Sequence, residues 1–186
     1  MKKQSSAAFT ARAMACCALL AALSVVFARL LSFAPAPNTR WSFDKFPLFL
    51  AGMFFGPLAG GLTGFAADTV GCLFSPYGIN PIFSVPAVLY GLCGGLFRYV
   101  LANKTSILRL VLAYLVPVVF GSLLYQSAAL AFVYNPATFW LSFCTNLGLR
   151  SFQFALVGTG EVAAIYLLMK TRVFEHAKLW PPVRRN

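Results

Sequence analysis

The sequence has very few charged side chains. Only 10% of its 186 residues are Asp, Glu, Lys or Arg, whereas 60% are hydrophobic, and the mean hydropathy is +0.77. A soluble domain carries about 25% charged residues. Acidic residues are the scarcest, since the chain has only Asp44, Asp68, Glu161 and Glu175. So few charges cannot cover a globular surface of this size, which excludes a soluble enzyme and indicates a membrane protein.

Several motifs that carry chemistry are also missing. No G-x-x-x-x-G-K-[ST] phosphate loop occurs, so the chain cannot hydrolyse ATP by itself. The five cysteines show no C-x-x-C spacing and the one histidine, His176, lies in the charged tail, which leaves no ligand set for zinc or haem. Neither a Ser/His/Asp set nor a pair of carboxylates at helical spacing occurs in the apolar segments. We therefore expect neither catalysis nor a cofactor.

The net charge of +11 does not indicate nucleic acid binding either. A phosphate-binding face needs clustered Lys and Arg on an otherwise polar domain, and no part of this chain has that composition. The topology of a membrane protein explains the basic excess better.

Long apolar runs dominate the chain. A helix needs roughly 17 to 25 apolar residues to cross a bilayer, and five segments reach that length: 8–33, 58–74, 82–100, 106–133 and 139–169. A sixth segment, 46–55, would cover only about 15 Å as a helix. Hydropathy alone does not decide whether it crosses.

The distribution of positive charge favours a crossing by segment 46–55. If it crosses, both termini and the 98–109 loop share one side, where Arg and Lys are concentrated, and the other side keeps only Arg40 and Lys45. If it does not cross, most of the positive charge violates the positive-inside rule. We predict an all-α integral membrane protein of the cell membrane. A single domain, 1–186, would form a multi-pass bundle of six helices in the lipid bilayer with both termini cytoplasmic.

The N-terminus permits a rival interpretation as a secretory signal. Lys2 and Lys3 precede an apolar stretch, and the small residues Ala34 and Ala36 resemble a cleavage site. The stretch is long for a signal peptide, and Arg29 interrupts it. The interpretation as a first membrane helix is therefore favoured.

Four ionisable residues fall inside the predicted spans, where such residues are costly and usually functional. They are Arg29, Asp68, Arg150 and Glu161. The predicted topology places the first three in the outer half of the membrane, near Arg40 in the following loop. This cluster would suit a ligand that carries carboxylates and a donor-rich ring edge. Alternatively, Asp68 and an arginine form a structural ion pair, and Arg29 extends to the headgroups. Glu161 is more typical of a contact between helices.

Two further patterns concern partners. Trp41 and Phe43 follow a proline-rich stretch and lie beside Arg40, so this loop could fold over the mouth of a binding pocket. In the first helix, small residues that include Ala18 and Ala22 recur at a spacing of about four and share one face. This face would either pack within the bundle or bind another membrane subunit.

These residues resemble a known family, the substrate-binding S components of energy-coupling factor (ECF) vitamin transporters, and in particular the folate-specific type. The resemblance covers most of the chain and is most specific from Arg40-Trp41-Ser42-Phe43 to Gly56-Pro57 and Gly60-Gly61. The first helix with Arg29, the segment Ala66-Ala67-Asp68, and Tyr90-Gly91 continue it.

The resemblance implies a vitamin held in the outer half of the membrane. It also implies partners, a transmembrane coupling subunit and two ATPase subunits. The coupling subunit would contact the first-helix face that includes Ala18 and Ala22. Carried over by position, the implied substrate-binding residues are Arg29, Arg40, Asp68, Ser84, Tyr90, Gln126 and Arg150, with Trp41 and Phe43 in the loop.

The sequence departs from the family pattern at several positions. Asp44-Lys45 replaces a Gly-Phe-like pair, Gln126 stands where Asn is usual, and Gln153 takes a position that is often basic. These departures lie in parts of the chain that help to select the vitamin. Pantothenate or another small anionic vitamin is therefore the alternative ligand, and an autonomous ion-coupled carrier using Asp68 and Glu161 is the alternative mechanism. The absence of an inverted repeat disfavours the carrier.

Overall fold

The computed structural model describes residues 11–36, 39–74, 81–98 and 107–170. Within these ranges the chain forms six long helical segments, which agrees with the predicted number. They are α1 (Ala11–Leu30), α2 (Lys45–Phe55), α3 (Pro57–Leu73), α4 (Pro81–Leu96), α5 (Ile107–Tyr134) and α6 (Pro136–Lys170). The windows Ala13–Leu30, Ile107–Tyr134 and Pro136–Lys170 are long and apolar enough to cross a membrane, and α2 and α4 are shorter apolar helices.

The predicted first helix is too long at its C-terminal end. Instead of continuing to Phe33, α1 ends at Leu30, and β1 (Phe33–Ala36) pairs antiparallel with β2 (Thr39–Trp41). Proline disfavours the helical conformation at the residue before it, so the Ala34-Pro35 step ends helical continuation here. The predicted helical bundle is thus observed, and the one departure from an all-α fold among the described residues is this short pair of strands. The predicted start at residue 8 lies outside the described residues.

Helix α2 lies at the centre of the bundle. Every residue from Pro47 to Phe54 is buried, which is typical of a helix that is hydrophobic on all sides. It turns directly into α3 at Gly56, whose φ of 96° favours glycine. The Gly56-Pro57 pair therefore forms the turn between α2 and α3.

Helices α2, α3 and α4 pack backbone to backbone. A Cβ at Gly52 would overlap the carbonyl oxygen of Gly91, and a Cβ at Gly60 would overlap the Cα of Gly52. Small residues allow this approach where the surrounding solvent is lipid. These three helices therefore form a closely packed unit.

Helices α5 and α6 each contain a segment of π-helix. In α5 it covers Val118–Tyr125, directly after Pro117, and in α6 it covers Phe154–Gly158. Segments of this kind are rare and occur frequently at functional sites. Gln126 directly follows the segment in α5, and Arg150 lies about one turn before the segment in α6.

Candidate functional site

Most of the predicted binding residues lie toward one end of the bundle, which we call the hairpin end. It is the end at which α1 and α3 finish, α4 begins, and α5 turns into α6. Two contacts connect these helices: Arg29 of α1 bonds to α3, and the rings of Phe83 in α4 and Tyr134 in α5 stack with centroids 6.2 Å apart.

Asp68 and Ser84 form a hydrogen-bonded pair between α3 and α4. The Ser84 hydroxyl, 5% exposed, donates to Asp68 Oδ2 over 2.6 Å. Cys72, one turn further along α3, places its Sγ 3.7 Å from the same oxygen. Asp68 itself is only half-buried, so its carboxylate keeps acceptor capacity beyond these contacts.

Arg29 joins the same region from α1. Its Nη2 donates to the carbonyl oxygen of Gly71, three residues after Asp68 in α3. Its Nε is buried and lacks a hydrogen-bond partner within the described residues. No described arginine side chain forms an ion pair with Asp68, so the alternative of a structural Asp–Arg pair has no support among these side chains.

Gln126 and Arg150 form a second polar pair, between α5 and α6. Arg150 Nη1 donates to Gln126 Oε1 over 3.2 Å, and both side chains are half-buried. Gln126 is the first residue after the π-helical segment of α5. The Gln126 amide and the Arg150 guanidinium are thus adjacent and partly exposed. The guanidinium retains donors for a further acceptor.

The loop residues Trp41 and Phe43 both lie against α6. The ring centroid of Trp41 is 5.8 Å from that of Phe152, two residues after Arg150, and Phe43, 38% exposed, contacts Gly160. Arg40 lies in β2 by its backbone, and its side chain falls outside the described part of the molecule.

Tyr90 occupies a different environment from the other predicted residues. Its side chain is fully buried, its hydroxyl lies 3.2 Å from Ser122 Oγ, and its ring centroid is 5.4 Å from that of Tyr114. The structure places Tyr90 in the core between α4 and α5, whereas Asp68, Gln126 and Arg150 are all partly exposed.

Ala18 and Ala22, the predicted docking residues, are both exposed on α1. Only 6% of the apolar window of this helix is buried inside the bundle. Larger apolar residues extend the exposed surface, among them Met14, Leu19 and Leu23. Packing of this alanine face against another described helix is therefore not observed.

A polar network surrounds Glu161, and the sequence analysis predicted only one of its members. Glu161, 1% exposed, accepts the Tyr114 hydroxyl over 2.5 Å and the backbone N–H of Lys45 over 3.1 Å. The prediction that Glu161 contacts other helices is thus confirmed. Its partners in α2 and α5 were not predicted, because Tyr114 and Lys45 have no sequence spacing that relates them to residue 161.

Asp44 and Lys45 complete this network at the start of α2. Lys45 Nζ forms an ion pair with Asp44 Oδ2 at 2.6 Å, and Asp44 Oδ1 accepts the Ser42 hydroxyl over 2.6 Å. Ser24 of α1 donates to the Asp44 carbonyl oxygen over 2.8 Å. The segment that follows the β-hairpin therefore enters the bundle to the level of Ser24, about 9 Å from the end of α1 at 1.5 Å per residue.

Comparisons with known proteins identify the family. The family model described as "ECF transporter, substrate-specific component" matches residues 12–172. A curated relative, the folate transporter FolT of Clostridium novyi (strain NT), is 35% identical over 97 residues. That alignment covers 52% of this chain and 55% of the relative, so the chain matches about half of the relative's length.

A solved structure extends the similarity to nearly the whole bundle. The crystal structure of FolT bound with folic acid matches with a TM-score of 0.68 and 29% sequence identity, over 86% of this chain and 93% of that chain. The family comprises substrate-specific components of transporters and not enzymes. Because the family model matches most of the chain, the protein belongs to the family of ECF transporter substrate-specific components.

Proposed function

We propose that this protein is the folate-binding S subunit of an ECF-type importer in the cell membrane. The observation that carries the proposal is the similarity to the structure of FolT bound with folic acid, which covers 86% of this chain and 93% of the FolT chain. The acidic, basic and aromatic side chains at the hairpin end each suit a different part of such a ligand.

The Asp68 region suits the pterin ring. The pyrimidine edge of the pterin presents adjacent N–H donors, and a carboxylate with two oxygens is the matching acceptor. Asp68 is half-buried, and the Ser84 hydroxyl fixes one of its oxygens at 2.6 Å. A carboxylate held in this way is preorganised for a planar donor edge, because less conformational freedom is lost on binding.

The arginines suit the carboxylates of the glutamate portion. Arg29 has a buried Nε with no described partner, and Arg150 is oriented by Gln126 at 3.2 Å. Guanidinium groups recognise carboxylates through two parallel hydrogen bonds. Arg40 lies in the adjacent strand β2 and joins the proposal as a third basic residue.

Trp41 and Phe43 supply aromatic surface in the loop, and Tyr90 has an indirect role. The planar pterin and benzoyl rings of folate would pack on aromatic faces such as those of Trp41 and Phe43. Because Tyr90 is fully buried and its hydroxyl lies 3.2 Å from Ser122 Oγ, we assign it to the support of the interface between α4 and α5.

The proposed orientation follows from the charges. Both termini would be cytoplasmic and the hairpin end would face outward, which leaves Lys2, Lys3 and the basic C-terminal tail on the cytoplasmic side, as the positive-inside rule requires. The site then lies in the outer half of the bilayer, where an extracellular vitamin can reach it.

Transport would require partners, since the sequence contains no phosphate loop. We assign these roles to an ECF transmembrane coupling subunit and two ATPase subunits. The exposed face of α1 with Ala18 and Ala22 is the proposed contact surface, because small side chains let a second helix approach closely in lipid.

Calorimetric titration of the detergent-purified protein tests the ligand. Folic acid should bind and release heat at one site per chain, and pantothenate should not. Binding of pantothenate alone would retain the transporter role and reject the pterin site. No heat with either compound, on protein that unfolds cooperatively, would reject the proposal and favour an autonomous carrier.

A further inference from the structure

One side of α6 contacts the segment of residues 41–45 at three successive points. Phe152 packs on Trp41, with ring centroids 5.8 Å apart. Gly160 lies under Phe43, since a Cβ at position 160 would be 2.9 Å from Phe43 Cε1. Glu161 then accepts the backbone N–H of Lys45 over 3.1 Å. Residues Trp41, Phe43 and Lys45 of this segment therefore all contact α6.

The π-helical segment of α6 helps to align these contacts. In a regular α-helix, which turns by about 100° per residue, positions 152 and 160 would point about 80° apart. The π-helical turns at Phe154–Gly158 lie between them, and such turns contain more residues than α-helical ones. The extra residue per turn rotates Gly160 back toward the side of Phe152.

Glu161 caps a helix that belongs to a distant part of the chain. The first N–H groups of a helix have no partner within the helix, and Asp44, at the N-cap position of α2, forms no side-chain capping bond. Glu161 provides the acceptor, and a carboxylate also interacts favourably with the positive end of the helix dipole. The Tyr114 hydroxyl holds the second oxygen at 2.5 Å, so the cap is fixed from α5 as well.

Gly160 supplies the space for Phe43. Without a side chain at this position, the Phe43 ring lies directly against the backbone of α6. Any larger residue must displace the ring, because an added Cβ would lie only 2.9 Å from Phe43 Cε1. A ring moved off its preferred rotamer costs a free energy equivalent to as much as a severalfold loss of affinity.

We infer that Gly160 and Glu161 of α6 are positioning residues for the loop segment 41–45, and that they hold Trp41 and Phe43 in the conformation that receives the ligand. The ligand part of this inference rests on the proposed function. Neither residue needs to touch the vitamin. The capping contact uses the backbone of Lys45, so it does not depend on the side chain at that position.

The test compares Gly160→Ala with Gly148→Ala, a matched change in the same helix where nothing lies within 4 Å of the added methyl group. Both are made in a Trp140→Phe, Trp180→Phe background, in which Trp41 is the only tryptophan. Acrylamide quenching of ligand-free protein reports the exposure of Trp41, and titration with folic acid reports binding.

Gly160→Ala should increase the quenching of Trp41 and weaken folic acid binding roughly three- to tenfold, and Gly148→Ala should change neither. The double variant Phe43→Leu, Gly160→Ala should show the same quenching of Trp41 as Phe43→Leu alone, because leucine is shorter than the displaced phenylalanine side chain. A merely structural role of Gly160 would not give this rescue. Equal quenching and binding in the two alanine variants would overturn the inference.

Two further outcomes separate this inference from the proposed function. If the background protein does not bind folic acid but Gly160→Ala still exposes Trp41, the proposed function fails and the positioning role stands. If Gly160→Ala does not fold, Glu161→Met replaces it, because methionine has a similar length but no acceptor for the Lys45 N–H. Glu161→Met should increase the quenching of Trp41, and unchanged quenching would overturn the inference.

Discussion

The Ser84 hydroxyl donates a 2.6 Å hydrogen bond to Asp68 Oδ2 across the α3–α4 interface. This bond connects the Asp68 carboxylate to a buried side chain, and Oδ1 has no hydrogen bond to a described residue. The charge belongs to Asp68 itself, whereas the orientation of its carboxylate depends on Ser84. Two substitutions test these two contributions separately.

Asp68→Asn should weaken folic acid binding by roughly 100-fold. The substitution removes the charge and one acceptor from the pterin edge, and hydrogen bonds to charged groups are each worth about 1.5–3 kcal/mol. Ser84→Ala keeps the charge and loses only the orienting bond, so a loss of about tenfold is expected. Calorimetric titration measures both.

Thr69→Ala is the control for this pair. Thr69 is adjacent to Asp68, but its hydroxyl bonds to the carbonyl oxygen of Phe65 in its own helix, so binding should remain within about twofold of wild type. Wild-type affinity in Asp68→Asn would remove the carboxylate from the proposed site.

Arg150→Lys should weaken binding of folic acid roughly ten- to 100-fold, although the charge is retained. Lysine lacks the planar fork that pairs with a carboxylate and with Gln126 Oε1 at the same time. Gln126→Ala should have a smaller effect in the same direction, because it only releases the guanidinium. Titration of both variants tests the order.

Arg109→Lys provides the matched control, since Arg109 is exposed on α5 near the opposite end of the bundle. It should bind as wild type does. If Arg150→Lys and Arg109→Lys have the same affinity, Arg150 does not contact the ligand.

Ala22→Arg should abolish uptake of labelled folate in cells that express the partner subunits, and it should leave binding by the isolated protein unchanged. The long charged side chain prevents close approach of a second helix to α1, while Arg29, the α1 residue of the candidate site, lies seven residues, about 10 Å, further along the helix. Ala163→Arg, on an exposed position of α6, controls for the cost of placing arginine on a lipid-facing surface. Loss of binding together with uptake in Ala22→Arg would indicate a packing role for this face.

Helix number and approximate bounds could be predicted because hydropathy and charge each act over many residues. Segment 46–55 was the uncertain case, since its length left open whether it crosses the membrane, and the charge distribution favoured a crossing. The structure shows a buried helix there, α2 at Lys45–Phe55, and the crossing stays a prediction. The hairpin at Phe33–Ala36 was not predicted. Four and three residues of strand give too short a pattern to compete with the apolar run that precedes them.

For contacts between distant parts of the chain, the type of residue that takes part could be predicted, but its partner could not. The cost of burying a carboxylate made Glu161 a candidate for a polar contact, but its bond to the Lys45 backbone depends on where α2 begins inside the bundle. Backbone donors are present at every residue and carry no sequence signal. The contact of Phe43 with Gly160 depends on the π-helical turns of α6, and such turns have no simple sequence pattern either.

Gly52→Ala should destabilise the protein far more than Gly148→Ala does. The added Cβ overlaps the carbonyl oxygen of Gly91 and approaches the amide nitrogen of Gly95 at 2.7 Å, and backbone atoms on both sides cannot move independently. Overpacking of this kind costs about 3 kcal/mol, which lowers the unfolding midpoint of a chain of this size by roughly 6–12 °C. Thermal unfolding in detergent, followed by tryptophan fluorescence, measures the shift.

Gly148→Ala, with open space around the methyl group, should unfold at the wild-type temperature or slightly above it, because alanine favours the helix over glycine by about 0.5–1 kcal/mol. Equal midpoints for the two variants would mean that α2 and α4 are not in direct backbone contact.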